Sequence, residues 1–522
     1  MEEHGILTLL PPVLALVMVI ITKRVLLSLG IGIVVGALMI NQSEELFLNE
    51  TISQIFTIVA GIFISEGGVN TWEFYIILFL LILGMIAALI TVTGGSRAFG
   101  EWALTKVKSR IAAQFVAGFL GIIIFIDDYF NSLTVGNVSR PFTDRHKISR
   151  AKLAYVVDST AAPICVISPV SSWGAYIITI IGGILVTHGV TQYEALQAFL
   201  FIAPMNFYAI FAILLVFAVA YFKLDIGLMR THEERAQNTG ELVDKEKGPV
   251  PGDSEDAIPM ADGKVADLIW PIVTLIIATV LFMVVTGIQG TEEGQRSLLA
   301  TFENTDVAAA LLYGGLISLV MTIAISLLRK LPMKHLGLGL WAGVKSMLPA
   351  IYILLFAWTI IEIIGDLGTG EYLASLVDEH IQLGFLPALL FLIAGFMAFS
   401  TGTSWGTFAI MLPIAGEIAA ITDITLILPV LAAVLAGAIF GDHCSPISDT
   451  TILSSAGAGS HHIDHVLTQL PYALIVGVIA TISFLALGFS GSVWIGLLAG
   501  AVTFAITILI LKTVIVRLYQ AA

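Results

Sequence analysis

The chain has 522 residues, 57% of them hydrophobic and 12% charged, with a formal net charge of −14. Soluble domains carry about 25% charged residues, so together with a mean hydropathy of +0.97 this composition excludes a water-soluble enzyme. The acidic balance excludes a nucleic-acid binder, and two cysteines, Cys165 and Cys444, are too few for a disulfide framework.

In chain order, apolar runs at 6–22, 25–41, 74–95, 195–222, 267–289, 307–328, 347–365, 466–489 and 491–515 are each long enough for a hydrocarbon core of about 30 Å. The first follows an acidic Met1-Glu2-Glu3-His4, not a basic leader, and so reads as a span rather than a cleavable signal. A run at 52–65 is too short to cross. Four further segments, 110–142, 150–188, 382–414 and 425–455, are apolar but broken by polar residues, Gly and Pro. The span count closes if 110–142 and 382–414 are re-entrant hairpins and if 150–188 and 425–455 each cross once as broken helices.

Basic residues cluster at Lys23-Arg24, Arg97–Arg110, Arg140–Lys152 and Arg329–Lys345, with Glu44, Glu45, Glu50, Glu371, Asp378 and Glu379 on the other side. This asymmetry places the N-terminus outside and the C-terminus inside. The expected division is a first transmembrane repeat over 1–222, a polar cytoplasmic linker over 223–264, a second repeat over 265–490 and an added helix over 491–522. The halves share a pattern. Pro163-Ile164 precedes Ser171-Ser172 as Pro446-Ile447 precedes Ser454-Ser455, and Asp158 and Asp442 stand shortly before each proline. Pro141 and Pro413 close the segments before them. Opposite starting sides make the repeat inverted, an architecture of secondary transporters. The expected fold is therefore an all-α polytopic membrane protein with two inverted repeats, broken helices and re-entrant hairpins.

Three constellations carry chemistry. Ile126-Asp127-Asp128-Tyr129-Phe130-Asn131 continues to Thr134 directly after an apolar run. A carboxylate at mid-membrane costs about 2.5–3.5 kcal/mol on insertion scales, so a cation, a proton or water must accompany it; the plainer alternative is an interfacial helix cap. The second stretch, Asp158-Ser159-Thr160 to Ser171, has two prolines, Pro163 and Pro169, that would break a helix and free carbonyls. Freed carbonyls, hydroxyls and carboxylate are hard oxygen ligands suited to sodium. The third, Asp442-His443-Cys444-Ser445-Pro446-Ile447-Ser448-Asp449-Thr450-Thr451, is the densest polar cluster in an apolar segment. Opposite the first constellation, Thr401, Thr403, Ser404 and Thr407 supply hydroxyls without a carboxylate and suit the carboxylate of a small solute. His461-His462-Ile463-Asp464-His465 reads as a solvated loop, with pH sensing as the alternative. Glu362 is either intramembrane or interfacial.

At Ile126–Tyr129, Asp158–Pro163 and above all Gly441–Thr451, the chain resembles the NhaC family of sodium/proton antiporters, with a general likeness over nearly its whole length. The resemblance implies paired hairpins in inverted repeats. It also spans malate/lactate exchangers and sodium-coupled amino-acid carriers, so it leaves the solute open. The expected activity is sodium/proton antiport by alternating access, with sodium-coupled movement of an amino acid or small organic acid as the alternative. Neither an intramembrane protease nor a passive channel fits the twofold pattern as well. Asp127, Asp128, Asp158, Asp442 and Asp449 would hold cation and proton, with Asn131, Thr134, Thr160, Ser171, Ser445, Ser448 and Thr450 completing the oxygen shell. No cofactor is expected beyond sodium and proton. The expected partners are membrane lipid, sodium and proton, with a small amino or organic acid and a homodimer left open, in a bacterial or archaeal cytoplasmic membrane.

Overall fold

The computed structural model describes residues 5–22, 24–42, 47–65, 68–125, 128–169, 171–248, 250, 263–292, 294, 300–301, 304–369, 372 and 382–521. They form α1 (Leu10–Thr22), α2 (Val25–Ile40), α3 (Phe47–Gly61), α4 (Thr71–Val92), α5 (Gly95–Lys106), α6 (Arg110–Ile123), α7 (Asp128–Arg145), α8 (Arg150–Ile167), α9 (Ser172–Thr187), α10 (Ala195–Ile202), α11 (Phe207–Phe222) and α12 (Gly227–Thr239). After the connector come α13 (Ala266–Gly290), α14 (Val307–Leu328), α15 (Met333–Asp366), α16 (Leu386–Thr401), α17 (Ser404–Thr422), α18 (Ile427–Cys444), α19 (Asp449–Ala458), α20 (His462–Ser490) and α21 (Val493–Ala521). Among the described residues seven helices are long and apolar enough to cross a membrane. The pair Ala195–Met205 and Phe207–Phe222, bent by 47° at Asn206, makes an eighth.

One group of helices, α1 to α4 with α13 to α15, packs through small residues. Gly36 on α2 faces Ile363 of α15, and Gly84 on α4 meets the backbone of Gly343 on α15. Such close approach is how membrane helices gain dispersion contact where lipid offers no hydrophobic driving force.

The second group, α6 to α11 with α16 to α20, carries the breaks, and contact registers fix its directions. Cys165 Sγ donates to Phe125 O at 3.3 Å, and Gly121 sits against Thr160, so α6 runs with α8. Asn131 Nδ2 donates to Gly121 O and Ile124 O, both at 2.6 Å. A continuous helix would hold Asn131 and Gly121 about 15 Å apart, so α7 folds back on α6. The second half repeats this. Gly437 abuts Phe391 O and Ser445 Oγ donates to Phe399 O at 2.8 Å, so α16 runs with α18. α17 runs against α18, Ser404 Oγ reaching Ala438 O at 3.3 Å. Gly402, at φ +69°, makes the α16–α17 turn with no room for a side chain beside Ile447 Cγ1, 2.6 Å from its ideal Cβ.

The halves oppose each other. Arg150 Nη1 donates to Ala458 O at 3.1 Å while Ser454 Oγ donates to Asp158 at 3.1 Å, so α19 runs against α8. The second limb of each hairpin lies along the second piece of the other half's broken helix. α7 follows α19, with Ser132 and Ser454 hydroxyls 3.0 Å apart. α17 follows α9, from Trp173–Trp405 at 5.7 Å to His188–Glu417 at 3.7 Å. The fold is thus the expected all-α membrane architecture of two inverted repeats with hairpins and broken helices.

The prolines act differently from expectation. Pro163 lies inside α8, and Pro141 and Pro413 lie inside α7 and α17 rather than ending them. Packed neighbouring helices tolerate the lost amide. The breaks fall at 168–171 and 445–448, around Pro169 and Pro446. Each break is closed by a serine cap: Ser171 Oγ accepts from Gly174 N at 2.8 Å and Ser448 Oγ from Thr451 N at 3.3 Å.

The stretch after 222 is more than a linker. Residues 223–248 dock on α8 and α20 by ion pairs and hydrogen bonds. Lys152, 2% exposed, donates to Asp225 and lies 3.8 Å from Glu233, which also receives Arg110. Lys247 donates to Asp464, and the Tyr472 hydroxyl donates to Leu224 O at 2.8 Å. Removing one member of a buried ion pair costs about 3–5 kcal/mol. Lys152→Ala is therefore expected to release α12, and limited trypsin digestion should then cut at Lys223, Arg230 or Arg235 in the variant well before the parent. Equal digestion of both proteins would remove Lys152 as the anchor.

Candidate ion site

Asp158 is fully buried in the middle of α8 and faces α19 and the start of α20, and the first hairpin reaches it through Ser132, whose hydroxyl meets that of Ser454. Its carboxylate receives Ser454 Oγ (3.1 Å) at Oδ1, and Thr451 Oγ1 (3.4 Å) and Gln469 Nε2 at Oδ2. Gln469 is held in turn: its Nε2 also donates to His443 O at 3.0 Å, and its Oε1 lies 3.0 Å from His465 Nε2. His465 Nε2 stands 3.8 Å from Asp158 Oδ2. No Lys or Arg among the described residues pairs with Asp158.

Asp442, 1% exposed, ends the first piece of the second broken helix. Thr450 Oγ1 donates to its Oδ2 at 3.0 Å and is itself 2.9 Å from Ser448 Oγ. Asp442 Oδ1 is buried and has no hydrogen-bond partner among the described residues. Asp449 opens α19, receives the Tyr129 hydroxyl at Oδ2, and accepts Thr450 N at 2.8 Å. Both Asp449 and Asp158 lie within electrostatic reach of Asp442. Among the described residues no three His, Cys, Asp or Glu side chains converge as a metal cluster would; each carboxylate is met by hydroxyls of its own instead.

The other candidates are placed as follows. Asp128 is the first residue of α7, buried, and accepts Trp173 Nε1 at 2.9 Å. Asp127 lies outside the described residues. Asn131 ties the hairpin limbs, and its Oδ1, like Thr134 Oγ1, is buried without a partner among the described residues. Thr160 donates to Val156 O (2.9 Å) and Ser171 to Cys165 O (2.8 Å), so those hydroxyl hydrogens serve backbone carbonyls. In the second hairpin Thr401 donates to Met397 O and Thr407 to Thr403 O, both at 2.9 Å, and Thr403 caps α17.

The ligand set expected from the sequence omits Ser132, Thr451, Ser454, His465 and Gln469, although Thr451 stands in the third constellation and His465 in the histidine cluster. A polar Gln inside the apolar run 466–489 was the available signal for Gln469. The histidine cluster is no solvated loop: His462 and His465 are buried, His462 Nε2 lying 2.7 Å from Pro446 O and His465 Nδ1 2.9 Å from Ser455 Oγ. Both begin α20 beneath the broken helix, which shields them from water. Glu362, by contrast, is exposed on α15.

The α7–α19 seam holds this site together. Gly136 faces the Gly457 backbone, and Gly457 faces Ser132 O, too closely for any Cβ. Gly457→Leu is expected to push α19 away, withdrawing Ser454 and Thr451 from Asp158. Ion exchange in vesicles should fall to background with the protein still in the membrane; parental exchange would show the seam to be dispensable.

A protein of Haemophilus influenzae described as uncharacterized is 48% identical over 514 residues, 98% of this chain and 96% of its own. The malate-2H(+)/Na(+)-lactate antiporter of Bacillus subtilis is 33% identical over 156 residues, 28% of this chain and 31% of that one. The arginine/ornithine antiporter ArcD of Halobacterium salinarum is 30% identical over 154 residues, 29% of this chain and 31% of its own. Among solved structures, the YdaH transporter of Alcanivorax borkumensis aligns over 85% of this chain and 90% of its own with a TM-score of 0.34 and 15% identity. A family model described as the Na+/H+ antiporter family matches residues 164–489, which include Asp442, Asp449 and Gln469. This multi-pass secondary transporter therefore belongs to the Na+/H+ antiporter family.

Proposed function

We propose that the chain is a sodium/proton antiporter that works by alternating access. The observation that carries this reading is Asp158: a fully buried carboxylate served by neutral donors, with no Lys or Arg paired to it among the described residues. An ionised carboxylate in low dielectric is too costly to leave uncompensated. Sodium or a proton can compensate it, and competition between the two for one set of oxygens is the simplest exchange. Asp158, with Ser132, Thr451 and Ser454 about it, is the cation site in this reading. Asp442 and Asp449 take the proton, and Asp128, Asn131 and Thr134 line the approach from the first hairpin, with Asp127 a further cation and proton ligand in this reading. Thr160, Ser171, Ser445, Ser448 and Thr450 support the site through their backbone and side-chain bonds. The repeats span 1–222 and 265–490, with α21 added, the N-terminus outside and the basic loops inside a prokaryotic cytoplasmic membrane.

Names of relatives include organic-acid and amino-acid exchange, and Thr401, Thr403, Ser404 and Thr407 about the α16–α17 turn would serve a solute carboxylate in that case. The test is an everted vesicle with an imposed proton gradient. Sodium alone is expected to dissipate the gradient. If dissipation needs an added amino acid or organic acid, the antiport reading fails and solute exchange takes its place.

A further inference from the structure

A cavity of about 370 Å³ lies between the two helix groups, away from Asp158. One wall is hydrocarbon: Leu83, Ile86 and Ile90 of α4 with Leu268 and Ile272 of α13. The other wall carries four guanidinium groups, Arg97, Arg140, Arg145 and Arg150. Two carboxylates balance part of that charge. Asp144 takes Arg150 in a two-pronged contact at 2.6 Å for each bond. Glu101 lies 3.2 Å from Arg97 and 3.9 Å from Arg145. Among the lining residues a net positive charge therefore remains, beside an apolar wall.

The rim locates the cavity in the bilayer. Gly95, at the start of α5, abuts Asp267 and Leu268 at the start of α13. On those two helices Trp102 is 43% exposed and Trp270 57% exposed. Exposed tryptophans beside arginines mark headgroup depth. At that depth basic pockets between membrane helices hold phosphate, and guanidinium geometry matches phosphate oxygens in pairs.

We propose that this cavity binds the phosphate-bearing headgroup of an anionic phospholipid, with the lipid's hydrocarbon along α4 and α13. The phosphate sits across Arg97 and Arg145, whose side chains are half-exposed and share Glu101. Arg140 and Arg150 form the inner wall. They also donate to Ala456 O and Ala458 O at the end of α19. The lipid is thus connected through two side chains to the helix that places Thr451 and Ser454 on Asp158. This assignment does not depend on which ion the protein moves.

The test uses the full chain in phosphatidylcholine nanodiscs to which phosphatidylglycerol is added, with retained lipid counted by native mass spectrometry. The parent is expected to retain phosphatidylglycerol in preference to phosphatidylcholine. The Arg97→Gln/Arg145→Gln double variant is expected to bind it about tenfold more weakly, the size of effect that loss of a charge-assisted contact gives. Ala87→Phe, which leaves every charge in place and fills the apolar side, is expected to weaken it as well. Unchanged retention in both variants would overturn the proposal. So would glycerol phosphate binding as tightly as the lipid, since that would make the cavity a site for a free soluble anion.

Discussion

Asp158→Asn is expected to abolish sodium-dependent proton movement while leaving the protein in the membrane at parental abundance. The substitution keeps the shape of the side chain and one carbonyl oxygen, so Ser454 Oγ or Thr451 Oγ1 retains an acceptor. What disappears is the charge. Separating a buried charge from its counter-charge costs about 3–5 kcal/mol, which is a loss of more than about 100-fold in cation affinity. There is also a donor conflict. Gln469 Nε2 points at Asp158 and cannot readily turn, because its other contacts run to His443 O and His465. An asparagine amide at position 158 must therefore turn its oxygen toward Gln469 and its NH2 toward Ser454. The measurement is sodium-induced collapse of a preset proton gradient in everted vesicles, alongside thermal unfolding of the purified variant. Unfolding is expected near the parental temperature, because the variant no longer buries an uncompensated charge. Parental exchange by this variant would end Asp158's claim to the ion path.

The outline of this site was legible from residue patterns, and its inside was not. Pro, Gly and Ser interruptions in apolar runs located the α16–α17 turn and the breaks around Pro169 and Pro446, and the paired aspartates located the end of α6, since a helix in lipid is interrupted only where protein or cavity satisfies the freed backbone groups; the 47° bend at Asn206 inside the run 195–222 was not expected. The matched spacing of Pro163-Ile164 and Pro446-Ile447 made the repeat visible. Yet those prolines have different roles: one lies within α8 and the other in the gap after α18. Composition cannot distinguish them, because tolerance depends on what packs beside the missing amide. Contacts between distant residues were less accessible still. Ser132 meets Ser454, Tyr129 meets Asp449 and Asp158 meets Gln469 across about three hundred positions. Such pairings follow from helix register, which a single sequence does not display. The histidines at 461–465 misled for a related reason. Glycines and polar residues look like a loop, but the start of α20 lies under α19, and the stretch after α12 caps that end through Lys247 and Asp464.

Asp442→Asn is expected to separate sodium binding from proton coupling. The two carboxylates sit in unlike surroundings. Asp158 has a shell of hydroxyl and amide groups, with Ser132 one step beyond Ser454, and oxygen-rich surroundings of that kind suit a hard cation. Asp442 receives Thr450 Oγ1 at one oxygen, and its other oxygen is buried without a partner among the described residues. A lone oxygen is a poor cage for an ion but sufficient for a proton. In the variant, therefore, exchange of labelled sodium for unlabelled sodium across the vesicle membrane should continue, because the Ser454, Thr451 and Gln469 groups on Asp158 do not depend on an Asp442 oxygen. Sodium-driven proton movement should fall at least about 100-fold, since an amide cannot carry the proton back. Loss of both activities together would place Asp442 in the cation shell itself. Retention of both would leave Asp449, which faces the Tyr129 hydroxyl, as the group that takes the proton.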